Sequence, residues 1–61
     1  MTPTIEKVSK ALDSVNFLLQ ELQEANKGAD PMLHLLLLPE IAKAAAIKDQ
    51  LVAIICALPN N

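Results

Sequence analysis

Asn26-Lys27-Gly28-Ala29-Asp30-Pro31 lies near the middle of the 61-residue chain and carries helix-boundary signals in quick succession. Lys27 is a cation where a helix C-terminus presents its unpaired carbonyls. Gly28 suits the left-handed residue that commonly follows a helix. Asp30 followed by Pro31 has the form of an N-cap and a first helical residue. A link as short as Lys27–Asp30 makes the flanking helices antiparallel neighbours. The predicted fold is therefore all-α: an antiparallel two-helix hairpin, one domain over residues 1–61, with helices over 3–27 and 31–58 and a turn over 27–30.

Upstream of the turn the apolar pattern is regular. Thr2 and Pro3 read as an N-cap and first helical residue, with Thr4 as a rival cap. Ile5, Val8, Leu12, Val15, Leu19 and Leu22 then recur at spacings of 3, 4, 3, 4 and 3. That is a coiled-coil heptad with Ile5 at position a and Val8 at d. Ala11, Leu18 and Ala25 fall at g beside this seam, widening the apolar arc to about a third of the circumference. Such a width suits a helix with more than one neighbour, as in a bundle.

Downstream the pattern is looser. Met32 to Leu38 is apolar except for His34, and Pro39 follows. A proline inside a helix cannot donate to the carbonyl four residues back, here Leu35, and it pushes Leu38 away from helical geometry. The helix is either kinked near residues 38–39 or broken, with a short segment 31–37 and a new start at Pro39. A kink is favoured, because Leu38 is a poor N-cap. Beyond it Ala44, Ile47, Leu51, Ile54 and Leu58 step by 3 and 4, and Ile41, Val52 and Ile55 broaden that face. Pro59 ends the helix.

Composition narrows the function. Hydrophobic residues make up 52% of the chain and aromatic residues 2%, with a net charge of −2. Leu, Ile, Val and Ala are suited to helix–helix packing, and so apolar a chain is not disordered. Five Lys and no Arg offer no basic stripe, and a lone Phe17 no stacking platform, so nucleic acid is not an expected partner. Neither Leu35–Leu38 nor Leu51–Leu58 approaches the ~20 apolar residues of a membrane span, and Glu6, Lys7, Lys10 and Asp13 do not suit a signal peptide. No membrane association is expected, and a cytoplasmic location is.

Sixty-one residues form one small domain, and domains of this size commonly need a staple. Cys56 has no partner cysteine, and one Cys with one His (His34) cannot complete a zinc site, so neither disulfide, metal nor cofactor is predicted. Oligomerisation remains. The expected assembly is a homodimeric four-helix bundle, with Leu12, Val15, Leu19, Leu22, Ile47, Leu51, Ile54 and Leu58 as its interface.

Particular residues suggest partner contacts. Phe17 falls at f, opposite the seam, one turn from Asp13 and Glu21. An aromatic there can anchor in a partner's pocket, contact another copy, or be one of the isolated apolar residues that protein surfaces carry. Leu35 and Leu38, in the run before Pro39, are further candidates, although burial of that run within the oligomer competes. His34 is read as a partly buried hydrogen-bonding residue and Cys56 as a small buried hydrophobe. Glu6–Lys10 and Glu40–Lys43 are helix-surface pairs worth a few tenths of a kcal/mol each. Ser9 and Ser14 lack a companion base and no phosphate loop is present, so no enzyme is predicted.

The expected function is a small interaction protein that binds and regulates or inhibits a larger partner, of a size that suits a phage- or plasmid-encoded product. Alternatives are an N-terminal docking or oligomerisation domain of a longer protein, and an oligomer holding a small ligand between subunits.

Overall fold

The computed structural model describes residues 3–58. Two helices, α1 (Pro3–Lys27) and α2 (Pro31–Ala57), pack against each other as a hairpin. Thr2, Pro59 and the terminal asparagines lie outside the described residues, so the proposed Thr2 cap does too.

α1 follows from its heptad. Ile5, Val8, Leu12, Val15, Leu19, Leu22 and Asn26 are turned inward, buried or half-buried, while the positions between them are almost all exposed. Glu6 in the first turn and Lys27 in the last complement the helix dipole.

The turn forms where predicted but not in the predicted manner. Gly28 does not adopt positive φ. A left-handed residue is unnecessary because Ala29 N–H donates to the Asn26 carbonyl at 3.2 Å, closing a tight i→i+3 turn. Asp30 then caps α2: its side chain accepts from Leu33 N–H at 2.8 Å, with extended backbone at φ −72° and ψ 170°. A further bond spans the turn. His34 Nδ1 donates to Asn26 Oδ1 at 2.7 Å. Asn26 holds the turn through both its carbonyl and its side chain, which explains a polar residue at the last a position of α1.

α2 continues through Pro39 as one helix, so the alternative of a break into two segments does not occur. It ends at Ala57 rather than residue 58. Leu58 is extended, at φ −75° and ψ 145°, and its N–H donates to the Ile54 carbonyl at 3.1 Å. The following proline disfavours helical geometry at Leu58.

The inward stripe of α2 differs from the one read from sequence. Leu37, Ile41, Ala44, Lys48, Leu51, Ile55 and Leu58 turn toward α1, whereas Ile47 and Ile54 are exposed. The observed stripe is itself an unbroken alternation of 4 and 3, with Lys48 at an a position. A lysine can occupy such a site by laying its methylenes along the seam and keeping its ammonium in water. Ala44 is the most buried residue of this stripe, 3% exposed.

Among the described residues only Ile5 and Ala44 are buried, and none has a fully buried side chain. The molecule measures 48 × 14 × 11 Å, with a radius of gyration of 14.3 Å. A compact chain of this length has about 10.5 Å.

Candidate interaction surface

The helical periodicities divide the exterior into two broad faces and two outer edges. With α1 and α2 antiparallel and both right-handed, the g positions of the two helices flank the seam on the same side. On α1 these are Thr4, Ala11, Leu18 and Ala25; on α2 they are Leu33, Glu40, Ile47 and Ile54, with Leu36 at the adjoining c position. This side, the g face, is mainly apolar along its g positions, with Thr4 and Glu40 as the polar ones, and the c positions at its margins carry Lys7, Ser14, Glu21, Lys43 and Gln50; Glu40 and Lys43 pair with each other at 3.0 Å. The e positions flank the opposite side. There Ser9, Asn16 and Gln23 of α1 meet Leu38, Ala45 and Val52 of α2, a mixed surface.

The residues proposed for partner binding do not converge. Phe17 is 63% exposed on the outer edge of α1, as its f position dictates. Leu35 is exposed on the outer edge of α2, and Leu38 flanks the seam on the e face. The width of the hairpin separates Phe17 from Leu35. The run before Pro39 is nevertheless an open apolar ridge: Met32, 69% exposed, Leu33, Leu35, Leu36 and Leu38 all face solvent, and only Leu37 turns in.

The proposed oligomer-interface residues divide. Leu12, Val15, Leu19, Leu22, Leu51 and Leu58 are half-buried within the hairpin, while Ile47 and Ile54 are available at its surface. Burial of the first group is largely accomplished by one chain.

Two further readings are corrected. Cys56 is exposed rather than buried, because the seam lies on another side of α2. His34 is exposed, although it does make the hydrogen bond expected of it. Among the described residues the ion pairs are Glu40–Lys43, as expected, and Glu24–Lys27 at 3.5 Å; Glu6 and Lys10 do not pair. Both observed pairs are exposed and of small energetic consequence.

Sequence reasoning missed two features. Lys48 was passed over because a charged residue reads as solvent-facing, although the spacing from Leu37 to Leu58 already placed it in line. The Asn26–His34 bond joins residues on different helices, and no helical spacing encodes it.

Among the described residues, no group of three or more His, Cys, Asp or Glu side chains is placed to hold a metal ion. Among the described residues no helix is long and apolar enough to cross a membrane. No family model, curated protein or solved structure matches the chain.

Proposed function

We propose that this protein is a small non-enzymatic interaction module that self-associates and, through the apolar surface left outside the assembly, binds and regulates or inhibits a larger protein. The observation that supports this reading is the surplus of exposed apolar side chains after the seam is filled. Among the described residues ten large hydrophobic side chains remain exposed, Phe17 and the ridge before Pro39 prominent among them. Contiguous apolar surface beyond a few hundred Å² on a soluble monomer marks an interaction site. Self-association covers one broad face as a homodimeric four-helix bundle. The outer edges carrying Phe17 and Leu35 then remain for a partner, engaged as helical ridges.

The test combines mass and capture. Light scattering at micromolar concentration gives two chains per particle, and a mass of one chain with full helicity overturns self-association. Affinity capture from the source cell compares wild type with Phe17→Ala and Leu35→Ala. A directly binding protein lost with either variant supports the reading and identifies the edge used. Retention by both removes these residues as anchors, and absence of any saturable direct binder overturns the regulatory role.

A further inference from the structure

We propose that the outer edge of α1 around Phe17 docks a basic protein surface, one in which an apolar pocket is flanked by Lys or Arg side chains. The inference rests on the partner binding proposed above and specifies the chemistry of the partner at that edge. Phe17 is the chain's one Phe, with no Trp or Tyr beside it in the composition. It stands 63% exposed at an f position, on the side of α1 turned away from α2. Residues three and four positions away are its neighbours on the helix surface. These are Asp13, Ser14, Gln20 and Glu21, all polar and all exposed. The Ser14 hydroxyl is already engaged, donating to the Lys10 carbonyl at 3.2 Å. Among the described residues Asp13 and Glu21 make no ion pair. Lys10 and Glu24 follow along the same line, two turns from the ring, and Glu24 pairs with Lys27 at 3.5 Å. The ring is therefore bracketed by two uncompensated carboxylates about 12 Å apart along the helix axis.

Charge decides among the occupants. A second copy laid against this edge, ring to ring, would bring Asp13 and Glu21 beside the same acids of the other copy, and like charges repel. Nucleic acid and anionic lipid surfaces are repelled by the same two carboxylates. A protein surface carrying Lys or Arg is attracted, and each component of the edge then has a role. The ring supplies a compact apolar anchor whose burial removes a large area from water. The carboxylates meet cations at the margin of the buried patch, where they steer the encounter and fix its register. A Lys or Arg that reaches over the ring also gains from its face. The other outer edge lacks this combination. Leu35 has Pro31, Met32, Leu38 and Pro39 as its neighbours one turn away, so the ridge of α2 offers apolar area with no charge to select an occupant.

The deciding experiment is an amide-resonance NMR titration of the full chain with two synthetic helical peptides. Both carry the same leucine stripe, flanked by Arg in one and by Glu in the other. The Arg peptide binds saturably with shifts centred on residues 13–21, and the Glu peptide binds about tenfold more weakly. Phe17→Ala weakens the Arg peptide about tenfold, and Asp13→Asn and Glu21→Gln each weaken it about threefold, with helicity unchanged by circular dichroism. Glu6→Gln removes the same charge near the start of α1, away from the ring, and has an effect below about 1.5-fold. Weakening by Glu6→Gln equal to that of the flanking acids means diffuse attraction to net charge and overturns the site. Equal binding of the Glu peptide at this edge overturns the basic partner and leaves Phe17 as an anchor. Shifts centred on residues 32–38 overturn the edge and move the partner to the ridge before Pro39. Absence of shifts with either peptide overturns this docking chemistry, while the capture experiment above judges partner binding separately. Light scattering of Phe17→Ala gives the wild-type mass, and a smaller mass overturns the proposal by placing the ring in a contact between copies.

Discussion

The two helices of this hairpin are of similar length but very different kinds. α1 has one apolar stripe and a polar exterior of Glu6, Lys10, Asp13, Gln20 and Glu24, broken chiefly by Phe17. Its pattern states which side faces inward. α2 is apolar nearly all round, and Ala, Leu and Ile occupy stripes that are close to equivalent by hydropathy. Its orientation is set by what it packs against. An amphipathic helix carries its own orientation, while a uniformly apolar one takes its orientation from a neighbour and leaves apolar surface elsewhere. That leftover surface makes α2 the principal source of the candidate interaction site.

The largest expected effects test the seam at which the helices meet. Leu19→Ala on α1 removes a large inward side chain from the seam and costs about 2–3 kcal/mol, read as loss of helicity in urea titration. Ala44→Leu forces bulk into the most buried inward position and costs about 1–3 kcal/mol.

Pro39→Ala gives the second contrast, since α1 has no proline inside it while α2 does. Restoring an N–H opposite the Leu35 carbonyl raises stability by about 1–3 kcal/mol, measured as a higher midpoint in thermal unfolding. A lower midpoint would mean that the proline geometry itself is needed by the packed hairpin. Asp30→Ala removes the acceptor of the 2.8 Å bond from Leu33 N–H and costs about 1 kcal/mol by the same measurement, a loss confined to the start of α2. Phe17→Ala is expected to change stability by less than about 0.5 kcal/mol, because its side chain stands away from the seam. A loss above about 2 kcal/mol would place Phe17 in a core formed by assembly rather than at a partner-binding edge.

The interaction surface was less legible than the fold for a related reason. Phe17 was found from α1 alone, because a heptad that assigns an inside also assigns an outside. Ile47 and Ile54 were singled out as apolar but placed in the same stripe as Ala44 and Leu51. Moving the seam toward Lys48 and Ile55 released both to the g face. Leu35 and Leu38 belong to one run of sequence, yet a helix turns about 100° per residue and carries them to different sides of the molecule. Neighbours in sequence thus became separate surfaces, while Leu18 and Ile47, far apart in the chain, came to lie on one.

Local chemistry was enough to specify the two helices, the turn between them and the inward stripe of α1. Those features depend on spacing, on Asp30-Pro31 and on residues a few positions apart, all of which act before the helices meet. Packing settled what local chemistry left open: the rotation of α2, the place of Lys48 in the seam, the Asn26–His34 bond and the ordinary φ of Gly28. Each requires both helices at once. Several stripes of α2 offer similar apolar burial, and the burial of Ala44 and the bonds across the turn accompany the one that is used.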